Sequence, residues 1–273
     1  MIKTSKPPVP ETDEGKAIMT KKFLVHCCEF HGGYSTPELN DKLYANGHYL
    51  TGIDCIEEFT DLKCLSLEFN NIPRIENLSH MTKLRTLFLK GNQIKKIEGL
   101  QTLVELDTLV LESNGIEMIE GLENCKKLTK LDLSKNRLSG VESLEHLKMI
   151  PSLKMLLLKE NIIPYQKEIF DFFVATLKVR YLELMGNTFL GMPQYRKRMI
   201  VSIPSITWLD ERGVDDKERQ LAEAFLEGGA EGCEEKINQL KQESDQKHKA
   251  YLKEVSDRSK EAEAAWREAN QKK

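Results

Sequence analysis

Four residues near the N-terminus, His26, Cys27, Cys28 and His31, are of the types that ligate zinc. Their spacing argues against it. Adjacent residues on a helix project about 100° apart, so Cys27 and Cys28 cannot both face one ion. No second Cys/His cluster completes a tetrahedron: the other cysteines (Cys55, Cys64, Cys125, Cys233) and histidines (His48, His80, His146, His248) are dispersed. A cap helix that packs Cys27 and leaves the histidines near water is the better expectation. The chain also carries no Gly-rich phosphate loop, Cys-x-x-Cys pair, nucleophile elbow or His-Glu-x-x-His. The expectation is therefore no catalytic site, no metal and no cofactor, with binding as the default activity.

The elements that would position a binding surface are written in repeats. Leu62, Leu65, Leu67, Asn70 and Ile72 recur as Leu84, Leu87, Leu89, Asn92 and Ile94, and twice more at the same 22-residue offset as far as Asn136 and Leu138. Two longer copies end at Asn161–Ile163 and Asn187–Phe189, after offsets of 25 and 26. This L-x-x-L-x-L-x-x-N-x-I pattern is the leucine-rich repeat. It predicts an α/β fold, a solenoid of about six repeats with a curved parallel sheet. Leu65 and Leu67, two apart, face the core, and Cys64, Ser66 and Glu68 face the other way. The repeated asparagine is expected to bond backbone groups of neighbouring coils, since each buried group left unpaired costs ~1–3 kcal/mol. A second recurring unit, Ile75-Glu76-x-Leu78 through Val141-Glu142-x-Leu144, closes the core on the convex side. Its glutamate is expected at the start of a helical turn, as a solvated charge favoured by the dipole.

Outward positions of the strands form a concave face. Phe88, Val110, Met155, Leu157 and Tyr181 are apolar or aromatic there, and Lys90, Glu112, Lys130, Asp132 and Glu183 stand among them. These ten residues are the candidate protein-binding site. Trp208 and Tyr195 are expected in the core.

The flanks differ in composition. Residues 1–19, rich in Pro and Lys, read as a flexible arm. Residues 20–61 read as an N-terminal cap: Thr20 caps a helix carrying Phe23, Leu24, Cys27 and Phe30, Thr36-Pro37 opens a second, and a degraded half-repeat follows with Ala45 and His48 in place of leucine and asparagine. Residues 62–187 are the repeats and 188–213 a C-terminal cap, because an uncapped solenoid exposes its terminal leucines. In the longer repeats Pro164 starts a helix whose Ile169, Phe170, Phe173 and Leu177 press on the core. Residues 214–273 form a charged helical tail, broken at Gly228-Gly229 and Gly232, with a helical arm from Glu234 that gains a partner.

The net charge of −3 and pI near 6.1 give no basic excess for nucleic acid. No apolar run approaches the ~18 residues of a membrane span. The first ten residues lack the apolar core of a signal peptide, and the scattered cysteines suit reduced thiols, so a cytosolic protein is expected.

The capping sequences carry a sharper likeness. Met19-Thr20, Thr36-Pro37-Glu38-Leu39-Asn40-Asp41-Lys42-Leu43-Tyr44, the Ile-Glu-x-Leu units, Leu184-Met185-Gly186-Asn187, Pro193-x-Tyr195-Arg196, Leu209-Asp210-Glu211-Arg212 and Ala222-Glu223-Ala224-Phe225 resemble the dynein axonemal assembly factor 1 family over about residues 18–226. The resemblance implies a non-enzymatic factor in the cytoplasm and cilium or flagellum of ciliated cells, which helps preassemble axonemal dynein arms. It implies axonemal dynein chains or chaperone-linked assembly factors as partners. Thr188 departs from the family's proline, and a short helical arm stands where the family has a long C-terminal extension. The second expectation is therefore a structural axonemal protein bound to doublet microtubules, tubulin or dynein. The third, from the repeats alone, is a phosphatase-regulating protein.

Overall fold

The computed structural model describes residues 8–271, and the chain divides into two compact units, Met1–Val214 and Asp215–Lys273. The first is a leucine-rich repeat solenoid, as the repeats predict. Each repeat contributes one three-residue strand: β4 (Cys64–Ser66), β5 (Thr86–Phe88), β6 (Thr108–Val110), β7 (Lys130–Asp132), β8 (Met155–Leu157) and β9 (Tyr181–Glu183). All pair in parallel, with Leu65, Leu87, Leu109, Leu131, Leu156 and Leu182 in lateral register and fully buried. One row of leucines thus forms the spine of the core.

Both ends extend this sheet. β3 (Lys42–Tyr44) pairs in parallel with β4, so the half-repeat expected to be degraded keeps its strand. Its backbone fits because Asn46 takes the edge contacts, its Oδ1 accepting from Ser66 Oγ and Glu68 N. At the far end β10 (Trp208–Leu209) pairs in parallel with β9 and turns into antiparallel β11 (Arg212–Gly213), closing a nine-stranded sheet. The Arg196 guanidinium ties this cap together through the carbonyls of Leu209 and Gly213.

The arm expected over residues 1–19 is instead, where described, a hairpin of β1 (Glu11–Asp13) and β2 (Lys16–Ile18), bridged to the solenoid at Ala17 and Leu50. Residues 1–7 of that expectation lie outside the described ones. Glu14 and Gly15 turn the hairpin with positive φ, and Met19 is buried behind it. Helix α1 (Lys21–Phe30) follows, with Thr20 Oγ1 accepting from Phe23 N as the cap. Pro37–Leu39 makes a 3-10 turn without a side-chain cap from Thr36. Buried Asn40 organises it, bonding the carbonyls of Tyr34, Thr36 and Pro37.

On the convex side the first three repeats have no helix, contrary to the expected helical turn. Two of their glutamates bridge coils instead: Arg74 holds Glu98 at 2.9 Å, and Lys96 lies 3.8 Å from Glu120. The fourth repeat widens into a 3-10 helix, Glu142–Met149, and the fifth into α2 (Lys167–Thr176). In α2 it is Ile169, Phe172 and Phe173, rather than Phe170, that are buried, with Leu177 just beyond. Helix α3 (Tyr195–Ser202) seals the last coil with Met199 and Ile200.

The asparagine ladder sets the stacking. Asn92 Nδ2 donates to Leu67 O at 2.9 Å in the preceding coil and to Leu89 O at 3.0 Å in its own, while its Oδ1 accepts from Ile72 N at 3.0 Å. Asn70, Asn114, Asn136, Asn161 and Asn187 repeat the arrangement. The residue before each asparagine is left-handed: Phe69, Gly91, Ser113, Lys135, Glu160 and Gly186. That turn brings the amide inward.

The second unit is helical, α4 (Asp216–Gln271), with Asp215 Oδ1 accepting from Glu218 N at its start. Gly229 (φ 64°, ψ −144°) splits it into two helices, a conformation glycine adopts without a Cβ penalty. Beyond the break Tyr251, Leu252, Val255 and Trp266 are exposed, and Arg258–Glu254 and Arg267–Glu263 pair one turn apart.

Candidate functional site

Strand register places the outward residues in rows. Across the strand starts run Lys42, Cys64, Thr86, Thr108, Lys130, Met155, Tyr181 and Trp208. Two residues on run Tyr44, Ser66, Phe88, Val110, Asp132, Leu157 and Glu183. Beyond the strands, backbone bonds between coils align Glu68, Lys90, Glu112, Ser134, Lys159 and Met185. All ten candidate residues therefore share one face, because strand side chains alternate with period two. They are not equally presented. Phe88, Met155, Leu157 and Tyr181 are half-buried, whereas Val110 and Asp132, side by side between Phe88 and Leu157, are nearly covered.

Its charges are largely held in place. Lys90 Nζ lies 2.6 Å from Glu112 and Lys135 Nζ 3.4 Å. Burial would raise the Glu112 carboxyl, but the two lysines override it and hold it below the usual carboxylate range. Burial pushes Glu68 and Asp132 up, and Asp132 Oδ1 accepts from Ser134 N at 3.0 Å. The Tyr181 hydroxyl donates to Glu183, and burial first, then that carboxylate, pushes it up to about 12. A phenol so raised is a poor acid and Glu112 is a clamped, poor base.

Two residues of this face escape the sequence reading. Trp208 is not core: it stands in the first row, 37% exposed, and stacks on Tyr181 with ring centroids 5.7 Å apart and planes 6° apart. The signal was present, since Ile206-x-Trp208-Leu209 matches Val179-x-Tyr181-Leu182. Phe69 is left-handed, 56% exposed, and lies under the Lys90 ammonium at 5.9 Å. A bulky residue at positive φ is an outlier, and no sequence rule marks it. Tyr195 is buried at its hydroxyl against Asp210, in the cap as expected.

The N-terminal cluster does not converge on an ion. Among the described residues no three His, Cys, Asp or Glu side chains are placed to hold a metal. Burial pushes the Cys27 and Cys28 thiols each up to about 12, so both are protonated. Exposed Cys55 should therefore react with iodoacetamide on the native protein roughly 100-fold faster than Cys27, Cys28 or Cys125. Mass spectrometry of alkylated peptides reads this directly, and equal rates would refute the buried cap helix. No helix among the described residues is long and apolar enough to cross a membrane.

Comparison with known proteins follows the same lines. Residues 101–237 match a family model described as leucine-rich repeat, and residues 60–102 one described as two copies of leucine-rich repeats. An internalin from Listeria monocytogenes shares the fold with a TM-score of 0.55 at 20% identity, over 70% of this chain and 51% of that one. Leucine-rich repeat-containing protein ODA7 of Chlamydomonas reinhardtii is 53% identical over 85% of this chain and 54% of its own length. Dynein axonemal assembly factor 1 of Peromyscus leucopus is 51% identical over 80% of this chain and 35% of its own length. The Drosophila melanogaster homologue is 45% identical over 78% and 15%. The chain thus spans about half, or less, of the relatives it matches. By its repeats and these identities, the chain belongs to the leucine-rich repeat proteins, in the family of dynein axonemal assembly factor 1.

Proposed function

We propose that this chain is a non-enzymatic adaptor in the assembly of axonemal dynein arms, working in the cytoplasm of cells that build cilia or flagella. Its concave face holds the client, an axonemal dynein chain or a chaperone-linked assembly factor. The carrying observation is the set of half-exposed Phe88, Met155, Leu157 and Tyr181 on a sheet whose backbone is already fixed by the asparagine ladder. A preformed surface loses little freedom on binding, so buried aromatic anchors there convert efficiently into affinity. The relatives named for dynein arm assembly supply the class of client.

Phe88→Asp should abolish capture while sparing the fold, because Phe88 faces outward and its loss opens no core cavity. Pull-down from the cytosol of a flagellated cell, read for axonemal dynein chains, is expected to fall at least tenfold, about 2 kcal/mol for a central anchor. The thermal midpoint should stay within a few degrees. Undiminished dynein capture by the variant would refute the assignment of this face.

A further inference from the structure

At the C-terminal quarter of the concave face three cations flank an apolar strip whose two acids are already hydrogen-bonded. Lys154 and Arg180 directly precede Met155 and Tyr181 and are joined laterally, Arg180 N donating to Lys154 O at 2.8 Å. Lys159 flanks the same strands at their other end, next to Lys135 through its carbonyl. From Lys154 to Lys159 the chain spans about 15 Å. None of the three has an ion pair among the described residues, whereas Lys90 and Lys135, in the middle of the same face, both hold Glu112. Between them lies an apolar floor of Met155, Leu157 and the Tyr181–Trp208 stack. The two acids on that floor are already occupied: Glu183 accepts from Tyr181, and Asp132 from Ser134 N.

We infer that this corner is the docking site for an acidic peptide segment of a protein partner, with apolar or aromatic anchors on the floor and carboxylates toward Lys154, Arg180 and Lys159. The inference rests on the concave face being the docking surface and adds the partner's chemistry. Unpaired cations on both sides of an apolar strip call for acids on both sides of an apolar segment. A single-stranded nucleic acid would also stack on Tyr181 and Trp208. Its evenly spaced phosphates, however, would run over Asp132 and Glu183, so a peptide, which can place charge only at the margins, fits better.

The test uses the full chain carrying Trp266→Phe, which leaves Trp208 as the sole tryptophan. A short synthetic peptide of Glu and Asp interleaved with Leu and Phe is titrated against Trp208 fluorescence, beside an otherwise identical peptide with Lys for the acids and an oligouridylate. A saturable shift with the acidic peptide alone is expected, weakened roughly tenfold by K154E/R180E and by raised salt. No saturable change, indifference to K154E/R180E, or tighter binding of the oligouridylate would each overturn it. The dynein pull-down separates the two levels. If K154E/R180E keeps the client that Phe88→Asp loses, this inference falls and the docking face stands; if Phe88→Asp also keeps it, both fall.

Discussion

Asn136→Leu should destabilise the solenoid by about 3 kcal/mol, a large share of the ~5–15 kcal/mol that holds a typical domain together. The side chain is 7% exposed and serves two coils at once. Its Nδ2 donates to Leu111 O at 2.9 Å and Leu133 O at 3.0 Å, and its Oδ1 accepts from Ile116 N at 3.0 Å. Leucine fills similar space but leaves buried Ile116 N unpaired, at ~1–3 kcal/mol before relaxation, and removes one of the two donors from Leu111 O and Leu133 O, which Asn114 and Asn161 still bond. Asn136→Asp separates bonding from shape: a carboxylate still accepts from Ile116 N but repels the two carbonyls. Burial beside carbonyl oxygens raises the aspartate's folded pKa above its unfolded value, so the native state binds more protons and stability falls as pH rises. That variant should gain stability between pH 7 and pH 4 relative to Asn136→Leu. Asn124→Ala is the control, since its exposed amide makes one bond, to Gln101 O, and it should cost under about 1 kcal/mol. Urea denaturation of all three decides it. A cost for Asn136→Leu near that of the control would mean the ladder is incidental to stability.

What the sequence discloses and what it hides divide on physical lines. The spine leucines, the ladder and the outward rows were legible because each follows from a period: two along a strand, a coil length along the chain. The break in α4 at Gly229 was legible because adjacent glycines mark it, whereas Gly232, also expected to break the helix, stays helical. The elements that were missed obey no period. β3 keeps the spine leucine, Leu43, and survives Ala45 and His48 in place of the next leucine and the asparagine because Asn46 supplies edge contacts from another position. The β1–β2 hairpin forms in a stretch with little to bury because Ala17 bridges to Leu50, a long-range pairing that composition does not carry. The convex glutamates were assigned to helical turns from local sequence, but 22-residue coils leave no length for a helix. Glu98 and Glu120 pair instead with the coil before. Trp208 was assigned to the core because it sits among Ile203, Ile206 and Leu209, and only the register with Tyr181 turns it outward.

Gly99→Val should be about as damaging, for a reason that lies in the backbone. Gly99 has φ +72°, a region where an ordinary residue costs ~1–2 kcal/mol and a β-branched one more. A Cβ there would also meet Ile75 O of the preceding coil at 2.4 Å, so the two coils must part. Gly121 repeats the situation against Ile97 O at 2.6 Å, so the close approach of backbone to backbone recurs from one coil to the next. One coil earlier the same position is Asn77, also left-handed, and its Nδ2 donates to Ile53 O at 2.6 Å. Asparagine tolerates that backbone, and its amide bond to the neighbouring coil offsets the crowding. The three substitutions should therefore rank by chemistry rather than by size. Gly99→Asn should cost about 1 kcal/mol, Gly99→Ala about 2, and Gly99→Val about 4 or more. Chemical denaturation of the full chain measures all three. Asparagine proving worse than alanine would show that Asn77 is accommodated by a local spacing of its own, and the convex stacking would then not be uniform along the solenoid.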